Sequence, residues 1–344
     1  MRLIEENDPI VRHHLLTSLL RDVSRSFYLT LRVLPAPVGT QIELAYLLAR
    51  ATDTIADTEI VPLEKRLAAL THLRGRILGQ TTEPLSFGDL ANEQSNPAEQ
   101  LLLKRIEEAI QVLNQQNPSD ILLIRDVLTT ITSGQELDLH RFGNAPTAAV
   151  VALATWAELD DYTYRVAGCV GEFWTECCLQ NLPKAPVDRR SELLENGIRF
   201  GKGLQLTNIL RDLPKDLRIG RCYLPAEELW NHGLLPQDLL DPANSVRFAD
   251  FYATMLDRAE AHLRAGWDYT NALPWRWMRV RLACAWPVLI GLATLDKLRH
   301  SNVLDVRHRI KLSRTEVRII LIKTFCLYLF PKVWHGLGDP KKSR

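Results

Sequence analysis

YLLARATDTIADT (residues 46–58) places two aspartates, Asp53 and Asp57, in a stretch otherwise suited to a buried helix. Residues four apart lie on the same face of a helix, and Arg50 lies close to that face. A second stretch, NILRDLPKD (208–216), repeats the pattern with Asp212, Asp216 and an adjacent arginine. Because charged side chains are costly to bury, both stretches indicate a function rather than a plain core helix.

Carboxylate pairs of this kind suit a hard cation. Magnesium takes one or two protein carboxylates and completes its shell with water and substrate phosphate. Arginine binds phosphate through parallel hydrogen bonds, so Arg50 and Arg211 would suit a metal-bound diphosphate. RIGRCYLP (218–225) is predicted to be a turn that brings Arg221 near this site. The spacing alone is not specific, and a solvated helix face is the alternative for any single acidic pair.

The composition of the 344 residues is globular, with 46% hydrophobic residues and a net charge of +1. Such a charge argues against nonspecific binding of nucleic acid. The six cysteines lack metal-site spacing, so we expect reduced and mostly buried thiols. We see no signal region at the start and no apolar run of about 18–20 residues, so we expect a cytoplasmic protein without a spanning helix.

Periodic apolar residues predict helices throughout the chain and no strand. Asp8-Pro9, Asn96-Pro97 and Asn117-Pro118 each suit a helix start, and Pro214 should kink or end a helix. The predicted helices are 9–31, 36–58, 62–80, 97–115, 118–142, 147–180, 188–213, 244–271, 275–300 and 313–330. We read 81–96 and 231–244 as loops. With no linker between the halves, we expect one all-α domain over residues 1–344.

These motifs resemble those of the squalene and phytoene synthase family. The match runs over roughly residues 12–325, and the second aspartate-rich motif is its most specific part. The resemblance implies a single large isoprenoid-synthase helical bundle around a central cavity. The stretches that carry the resemblance are SRSFYLTLRVLP (24–35), YLLARATDTIADT (46–58), YTYRVAGCVG (162–171), LQLTNILRDLPKDLRIGRCYLP (204–225) and RLACAWPVLIGLATL (281–295).

The resemblance also implies roles for individual residues. It implies Mg²⁺, with Mn²⁺ as the alternative, bound by Asp53, Asp57, Asp212 and Asp216. It implies substrate contacts from Arg50, Tyr46, Gln205, Asn208, Arg211 and Arg221, with the three arginines on diphosphate. The catalytic tyrosine corresponds to Tyr162, with Tyr164 as a second candidate. From the residues alone, Tyr162 could equally be a core aromatic on one helical face with Val166 and Val170.

Family members join two prenyl diphosphates head to head through a cyclopropyl intermediate. DTIAD (53–57) and RLACAWPVLIGLATL favour a squalene synthase that acts on farnesyl diphosphate and uses NADPH. The positions that match a nicotinamide site are Ser24, Arg25, Phe27 and Asn208. Phytoene, dehydrosqualene or hydroxysqualene synthases, which lack the reductive step, are the alternatives. A terpene cyclase and a non-catalytic helical scaffold are the rivals from other classes. We expect a monomer.

The C-terminal segment VRIILIKTFCLYLFPKVWHGLGDPKKSR (317–344) combines apolar and aromatic residues with a basic end. Lys323 interrupts its apolar stretch, so it should not span a bilayer. Aromatic residues followed by Lys332, Lys341, Lys342 and Arg344 suit the edge of a membrane, which predicts peripheral contact. A packed final helix with a basic tail is the alternative.

Overall fold

The computed structural model describes residues 15–24, 27–143, 149–307 and 310–338. The all-α prediction is confirmed, because these residues are almost entirely helical. They divide into two compact units. The first contains the residues up to Gly143 together with Glu176–Lys184, and the second contains those from 149 to Thr175 and from Ala185 onward. The prediction of a single domain stays a prediction.

Four of the eight α-helices described in the first unit begin after proline or asparagine. Its elements are a π-helical turn (Leu15–Leu19), α1 (Leu20–Ser24), α2 (Tyr28–Val33), α3 (Ala36–Asp57), α4 (Leu63–Leu78), α5 (Gly88–Asn92), α6 (Pro97–Lys104), α7 (Ile106–Asn114) and α8 (Pro118–Phe142).

The second unit adds two short strands to its helices. Its elements are β1 (Val151–Leu153), α9 (Trp156–Thr163), a π-helical turn (Tyr164–Gly168), α10 (Cys169–Asn181), α11 (Arg190–Arg218), β2 (Arg221–Pro225), α12 (Ala226–Asn231), α13 (Ser245–Ala272), α14 (Met278–Arg299), α15 (Arg314–Leu327) and α16 (Pro331–His335). Single 3₁₀ turns lie at Val187–Arg189, Pro236–Leu240, Pro242–Asn244 and Gly336–Gly338. Helix α10 begins in this unit and ends in the first.

Helix α3 carries the first aspartate motif and packs against α4 and α8. One face of α3 is anchored by Leu44, Leu47 and Leu48, which are all fully buried. Helix α8 covers residues 118–142 as predicted, because Pro118 takes the first helical position after Asn117. Each aspartate of α3 therefore sits on a helix whose opposite side is fixed in an apolar core.

Helix α11 carries the second motif and packs closely against α13 and α14. Gly203 permits this contact, since a Cβ there would lie 2.8 Å from the backbone nitrogen of Leu263 on α13. Gly201 similarly approaches the carbonyl of Ala167. The glycines of FGKGLQ (200–205) thus serve close helix packing.

The sequence predicts that Pro214 kinks or ends this helix nearby. The helix does not end at the proline, because α11 continues to Arg218. Proline has no N–H, so the carbonyl of Leu210, four residues earlier, lacks its helical donor. The buried Tyr252 hydroxyl on α13 donates to that carbonyl at 3.1 Å. Helix α11 passes through the proline because a neighbouring side chain replaces the missing backbone bond.

The prediction of no strand is also wrong. Strands β1 and β2 form a two-stranded parallel sheet that pairs Val151 with Arg221 and Ala152 with Cys222. Gly220 adopts a φ of 77° and makes the turn after α11, so RIGRCYLP contains a turn followed by a strand. The strands have only three and five residues, too few for alternation to stand out in the sequence.

Other predicted boundaries change in smaller ways. The predicted helix 97–115 is divided at Arg105, and 313–330 shortens to α15 (Arg314–Leu327), with α16 beginning beyond it at Pro331. The side chain of Asn96 accepts from the backbone N–H of Ala98 at 3.0 Å, which confirms that helix start. The predicted loops contain α5 and two 3₁₀ turns. Asp8-Pro9, Arg25 and the basic residues from Lys341 onward lie outside the described residues.

The expectation that no segment is long and apolar enough to span a membrane is wrong. Among the described residues, Met278–Arg299 is long and apolar enough to cross a membrane, contrary to the sequence prediction. However, 61% of its apolar window is buried inside the protein, as in a core helix. The cysteine prediction is confirmed, since all six are free and only Cys326 is exposed.

Candidate active site

Asp53 and Asp57 lie one turn apart on α3, where Asp53 is half-buried and Asp57 is exposed. Burial, followed by repulsion from Asp57, raises the pKa of Asp53 to about 7. The side-chain amide of Gln135 on α8 donates a hydrogen bond to one Asp53 oxygen. A carboxylate that is costly to ionise beside a second carboxylate is a group that a bound cation would stabilise.

Arg50 lies one turn before Asp53 and is half-buried. One of its terminal nitrogens pairs with Glu99, which also accepts from the Asn96 side chain at 3.1 Å. Its Nε is buried and has no hydrogen-bond partner among the described residues. Because a buried donor without a partner is costly, this atom is suited to an anionic ligand.

Tyr46 and Phe27 stack with ring centroids 5.4 Å apart, in the first unit. Glu43 lies three residues before Tyr46 and seven before Arg50, on the same face of α3. Burial raises the pKa of Glu43 to about 7. Ser24 is buried, and its hydroxyl donates to the carbonyl of Leu20 at 2.5 Å. The serine hydroxyl therefore already has an acceptor within its own helix.

The second motif holds an ion pair between neighbouring residues of α11. Arg211 donates from Nε to one Asp212 oxygen at 2.9 Å and from a terminal nitrogen to the other at 2.6 Å. This pair, with the weaker attraction of Asp216, raises the pKa of Arg211. Asn208 is exposed, whereas Gln205 and Asp216 are half-buried. The motif's polar groups thus lie on one accessible helix face.

Tyr162 on α9 is buried and stacks on Tyr223 of β2, with ring centroids 4.7 Å apart and planes 18° apart. Tyr223 follows Arg221, the half-buried residue that begins β2. The strand therefore brings the predicted catalytic ring against the motif that contains Arg221. The core-aromatic alternative explains the burial equally well, so the assignment of Tyr162 stays a prediction.

Tyr164 lies in the π-helical turn and differs from Tyr162 in its surroundings. Its hydroxyl donates to Glu172 at 2.9 Å, and the Lys202 ammonium lies 5.8 Å from its ring centre. Burial and Glu172 raise the pKa of Tyr164 to about 12. The π-helical turn also shifts the register, so Val170 is exposed while Tyr162 is buried, and the predicted shared face is wrong.

The donors fit a cation held by few protein ligands. No group of three or more His, Cys, Asp and Glu side chains could hold a metal within the parts of the chain that the structure describes. Each motif instead supplies two carboxylates, as magnesium with water and phosphate requires. The raised pKa of Asp53 is the observation that supports this fit.

Sequence reasoning missed four residues around these motifs: Gln135, Glu99, Tyr223 and Glu43. Glu99 stands three residues after the cap Asn96, a recognisable pattern at helix starts. Glu43 lies seven residues before Arg50, a spacing that returns to the same helix face. Tyr223 lies in the quoted GRCYLP motif. Nothing in the sequence points to Gln135, whose position depends on the packing of α8 against α3.

Comparison with known proteins identifies the source of these motifs. Residues 20–316 match the squalene/phytoene synthase family. The chain belongs to that family. Its members are prenyltransferase-type isoprenoid synthases that bind substrates of the farnesyl diphosphate type and generally depend on a divalent metal.

Relatives of both product types are equally similar to this squalene/phytoene synthase family member. A bifunctional lycopene cyclase/phytoene synthase of Gibberella fujikuroi is 30% identical over 70% of this chain and 40% of its own length. The chain thus spans less than half of that relative. A presqualene diphosphate synthase of Rhodopseudomonas palustris is also 30% identical, over 73% of this chain and 76% of its own.

A solved structure, TcSQS in complex with the ligand E5700, has the same fold. The match has a TM-score of 0.75 at 21% identity and covers 98% of this chain and 94% of that one. At this identity the likeness concerns the fold alone.

Proposed function

We propose that the protein condenses two molecules of farnesyl diphosphate head to head into presqualene diphosphate, and that it reduces this intermediate to squalene with NADPH. The observation that carries the proposal is the Asp53–Asp57 pair, in which half-buried Asp53 has a pKa raised to about 7 beside the unpartnered Nε of Arg50. Release of diphosphate requires carboxylates that bind a metal cation and a hydrogen-bond donor that binds the leaving anion, and this part of α3 supplies both.

In this proposal each motif binds a metal-bound diphosphate through its own residues. Asp53 and Asp57 would hold Mg²⁺ at the first motif, and Asp212 and Asp216 would hold it at the second, with Mn²⁺ as the alternative. The bound metal would stabilise the negative charge that develops on the departing diphosphate. Arg50 would donate from Nε to a phosphate oxygen at the first motif, and Arg211 and Arg221 would contact phosphate oxygens at the second.

Departure of diphosphate from the first substrate leaves an allylic cation, which the double bond of the second substrate attacks. Loss of a proton then closes the cyclopropane of presqualene diphosphate. The Tyr162 hydroxyl is our candidate acceptor for that proton, with the released diphosphate as the alternative. The stack on Tyr223 would hold the Tyr162 ring in place during this transfer.

The choice of farnesyl diphosphate over a longer substrate rests on the DTIAD motif, which resembles squalene synthases. A presqualene diphosphate synthase and a 15-cis-phytoene synthase are matched over similar shares of their own lengths, so the motif carries the choice. Phytoene synthesis from a longer prenyl diphosphate is the alternative, together with a dehydrosqualene or hydroxysqualene product.

Two of the four residues proposed for NADPH, Ser24 and Phe27, are already engaged by neighbouring residues. Ser24 is buried with its hydroxyl bonded to Leu20, and Phe27 is stacked on Tyr46. Asn208 is exposed, and Arg25 lies outside the described residues. We therefore derive no step through NADPH, and the reductive half of the proposal rests on the resemblance alone.

The test is product analysis after separate incubations with farnesyl and geranylgeranyl diphosphate, each with magnesium and with or without deuterated NADPH. We expect presqualene diphosphate without the nucleotide and squalene with one deuterium when it is present. The same hydrocarbon under both conditions, without deuterium, would exclude the reductive half. A product only from geranylgeranyl diphosphate would favour phytoene synthesis, a cyclised monomeric product would favour a terpene cyclase, and no turnover would favour a scaffold.

A further inference from the structure

Gln135 of α8 is a polar side chain inside the first unit, where only 7% of its surface is exposed. Its amide nitrogen donates a hydrogen bond to one carboxylate oxygen of Asp53. Its amide oxygen is buried and has no hydrogen-bond partner among the described residues. A buried acceptor without a donor is costly, so the presence of this amide calls for a reason beyond packing.

A second glutamine of the first unit makes the same kind of contact away from the aspartate motifs. Gln41 of α3 donates to one oxygen of the buried Asp120 at 3.1 Å, and its amide oxygen is also unpaired among the described residues. The side chain of Asn181 donates to the other Asp120 oxygen at 3.1 Å, so both oxygens of this carboxylate have donors. The unpaired amide oxygen therefore does not distinguish Gln135 from Gln41, but the carboxylates that they contact do.

Asp53 accepts a hydrogen bond on one oxygen only, because Gln135 is its one hydrogen-bond partner among the described residues. Arg50, one turn earlier on α3, donates to Glu99 instead. The second Asp53 oxygen stays open on the helix face that also carries Asp57. Carboxylates that bind a metal are in turn held by hydrogen bonds, so one fixed oxygen and one open oxygen suit a metal ligand.

The position of Gln135 is fixed by the packing of α8. The next residue, Glu136, pairs with Arg74 of α4 at 3.1 Å. Ile131 and Leu139, one turn before and one turn after Gln135, are both buried. The amide is therefore presented to α3 from a helix that is anchored on both sides of the contact.

We propose that Gln135 is a positioning residue for the metal site of the first motif, an inference that rests on the proposed function. Its amide nitrogen holds one oxygen of Asp53 and leaves the other for the cation. Its amide oxygen would accept a hydrogen bond from a water of the hydrated cation, since magnesium keeps several waters when it binds to protein. Gln135 acts through Asp53 and does not contact the reacting atoms.

Calorimetric titration of Mg²⁺ in the presence of inorganic pyrophosphate tests this role without any turnover, at about pH 8.5, where carboxylates are ionised. Gln135→Met keeps the length of the side chain and removes both hydrogen-bonding groups. We expect Mg²⁺ to bind to this variant about tenfold more weakly, as when other partners that orient metal ligands are lost. Gln41→Met removes the equivalent contact with Asp120 and is the matched control, which should bind Mg²⁺ as the wild type does.

Melting temperatures and circular dichroism of the metal-free variants show whether either substitution disturbs the fold. Gln135→Asn keeps the amide but is one carbon too short for the contact, so it replaces Gln135→Met if that variant does not fold. We expect the same loss of Mg²⁺ affinity from it. Equal losses in the Gln135 variant and in Gln41→Met would be a general effect of a removed buried amide, and would overturn the proposal.

Asp53→Asn, titrated in parallel, separates this inference from the proposed function. Weak binding by Asp53→Asn together with wild-type binding by Gln135→Met would overturn the role of Gln135 and leave the metal assignment in place. Wild-type binding by Asp53→Asn would overturn both.

The magnesium dependence of diphosphate release from farnesyl diphosphate provides a second readout. Gln135→Met should raise the Mg²⁺ concentration at half-maximal rate about tenfold. The rate at saturating Mg²⁺ should change by less than about twofold, because the reacting groups are intact. A rate that stays low at saturating Mg²⁺, with an unchanged half-maximal concentration, would show that Gln135 does not act through the metal and would overturn the proposal.

Discussion

Arg211 donates hydrogen bonds to both carboxylate oxygens of Asp212, its immediate neighbour on α11, at nitrogen-to-oxygen distances of 2.9 and 2.6 Å. A cation that binds Asp212 would weaken this ion pair and leave the guanidinium available to a phosphate. Arg211 would then be the counterion of Asp212 while no metal is bound, and a ligand of the substrate phosphate once the metal binds. Two-point binding of this kind depends on the planar fork of arginine.

The first prediction follows from that geometry. Arg211→Lys keeps the charge and removes the fork, so we expect KM for farnesyl diphosphate to rise about tenfold with a smaller effect on magnesium affinity. Steady-state kinetics and metal titration check the two effects. Arg264→Lys, in an exposed pair with Glu260 on α13, is the control. An unchanged KM would show that Arg211 serves only Asp212.

The aspartates provide the second prediction. Asp53→Asn and Asp212→Asn each remove one metal ligand, so diphosphate release should fall by about 100-fold or more while helical content is retained. A coupled pyrophosphate assay and circular dichroism measure the two. The exposed carboxylates Asp126 and Asp250 supply controls, as Asp126→Asn and Asp250→Asn. Near-normal turnover by either motif variant would contradict the metal assignment.

The pKa of Asp53, raised to about 7, gives the third prediction. Below this value the carboxyl holds a proton that magnesium must displace, so affinity should fall about tenfold per pH unit below pH 7 and level off above it. Calorimetry in buffers of different ionisation enthalpy would detect the released proton. Asp53→Asn should remove this dependence, and a wild-type affinity that is flat from pH 5 to about 7 would contradict it.

The same shift affects the metal-free protein. The folded-state pKa of Asp53 lies above its ordinary value of 3.8, so the folded state keeps a proton that the unfolded state releases. The free energy of unfolding should therefore decrease as the pH rises from about 4 to about 7, and magnesium should restore part of the loss. Thermal unfolding with and without magnesium, compared with Asp53→Asn, measures this contribution.

The fourth prediction concerns Tyr162. Tyr162→Phe keeps the ring stacked on Tyr223 and removes only the hydroxyl, so formation of presqualene diphosphate should fall about 100-fold if that hydroxyl takes the proton. Supplying presqualene diphosphate directly should then partly restore squalene. Tyr164→Phe, which breaks the bond to Glu172, is the comparison. Full activity of Tyr162→Phe would favour the core-aromatic interpretation.

The fifth prediction concerns the proline in the second motif. Tyr252→Phe leaves the Leu210 carbonyl without a donor, which should cost about 1–3 kcal/mol of unfolding free energy. In a Pro214→Ala background the restored backbone N–H can donate instead, so the same change should cost less. Chemical denaturation of the four proteins of this cycle measures the difference. Equal costs in both backgrounds would mean that the hydroxyl and the proline are unrelated.

Local signals in the sequence were sufficient for much of the fold. Pro118 begins α8 and the apolar period continues to Phe142, so the predicted bounds match. The aspartate pairs were placed on helices for the same reason, since a spacing of four is a local property. Contacts between residues that are distant in the sequence were not predictable. They are the hydrogen bond from Tyr252 to the Leu210 carbonyl, the pairing of β1 with β2, and the hydrogen bond from Gln135 to Asp53.

The π-helical turn at Tyr164–Gly168 illustrates a different limit. A regular period of 3.6 residues placed Tyr162 and Val170 on one face, and the wider turn between them separates the two. Sequence patterns assume a regular helix, so an irregular turn displaces every later residue from its expected face. The expectation of no apolar run long enough to span a membrane failed for another reason. Met278–Arg299 is apolar enough by composition, and 61% of its apolar window is buried in the core.

The aromatic cage that Trp275, Tyr328 and Trp334 form around Arg281 has a practical consequence for anyone who shortens this protein to improve its handling. A truncation before Tyr328 would remove Tyr328 and Trp334, two of the three rings that cover the Arg281 guanidinium, and would expose the apolar surface beneath them. Such a product should be prone to aggregation, and its behaviour would be mistaken for loss of a membrane contact. Point substitutions at exposed residues of the segment leave the cage intact, so they test the predicted membrane contact where truncation cannot.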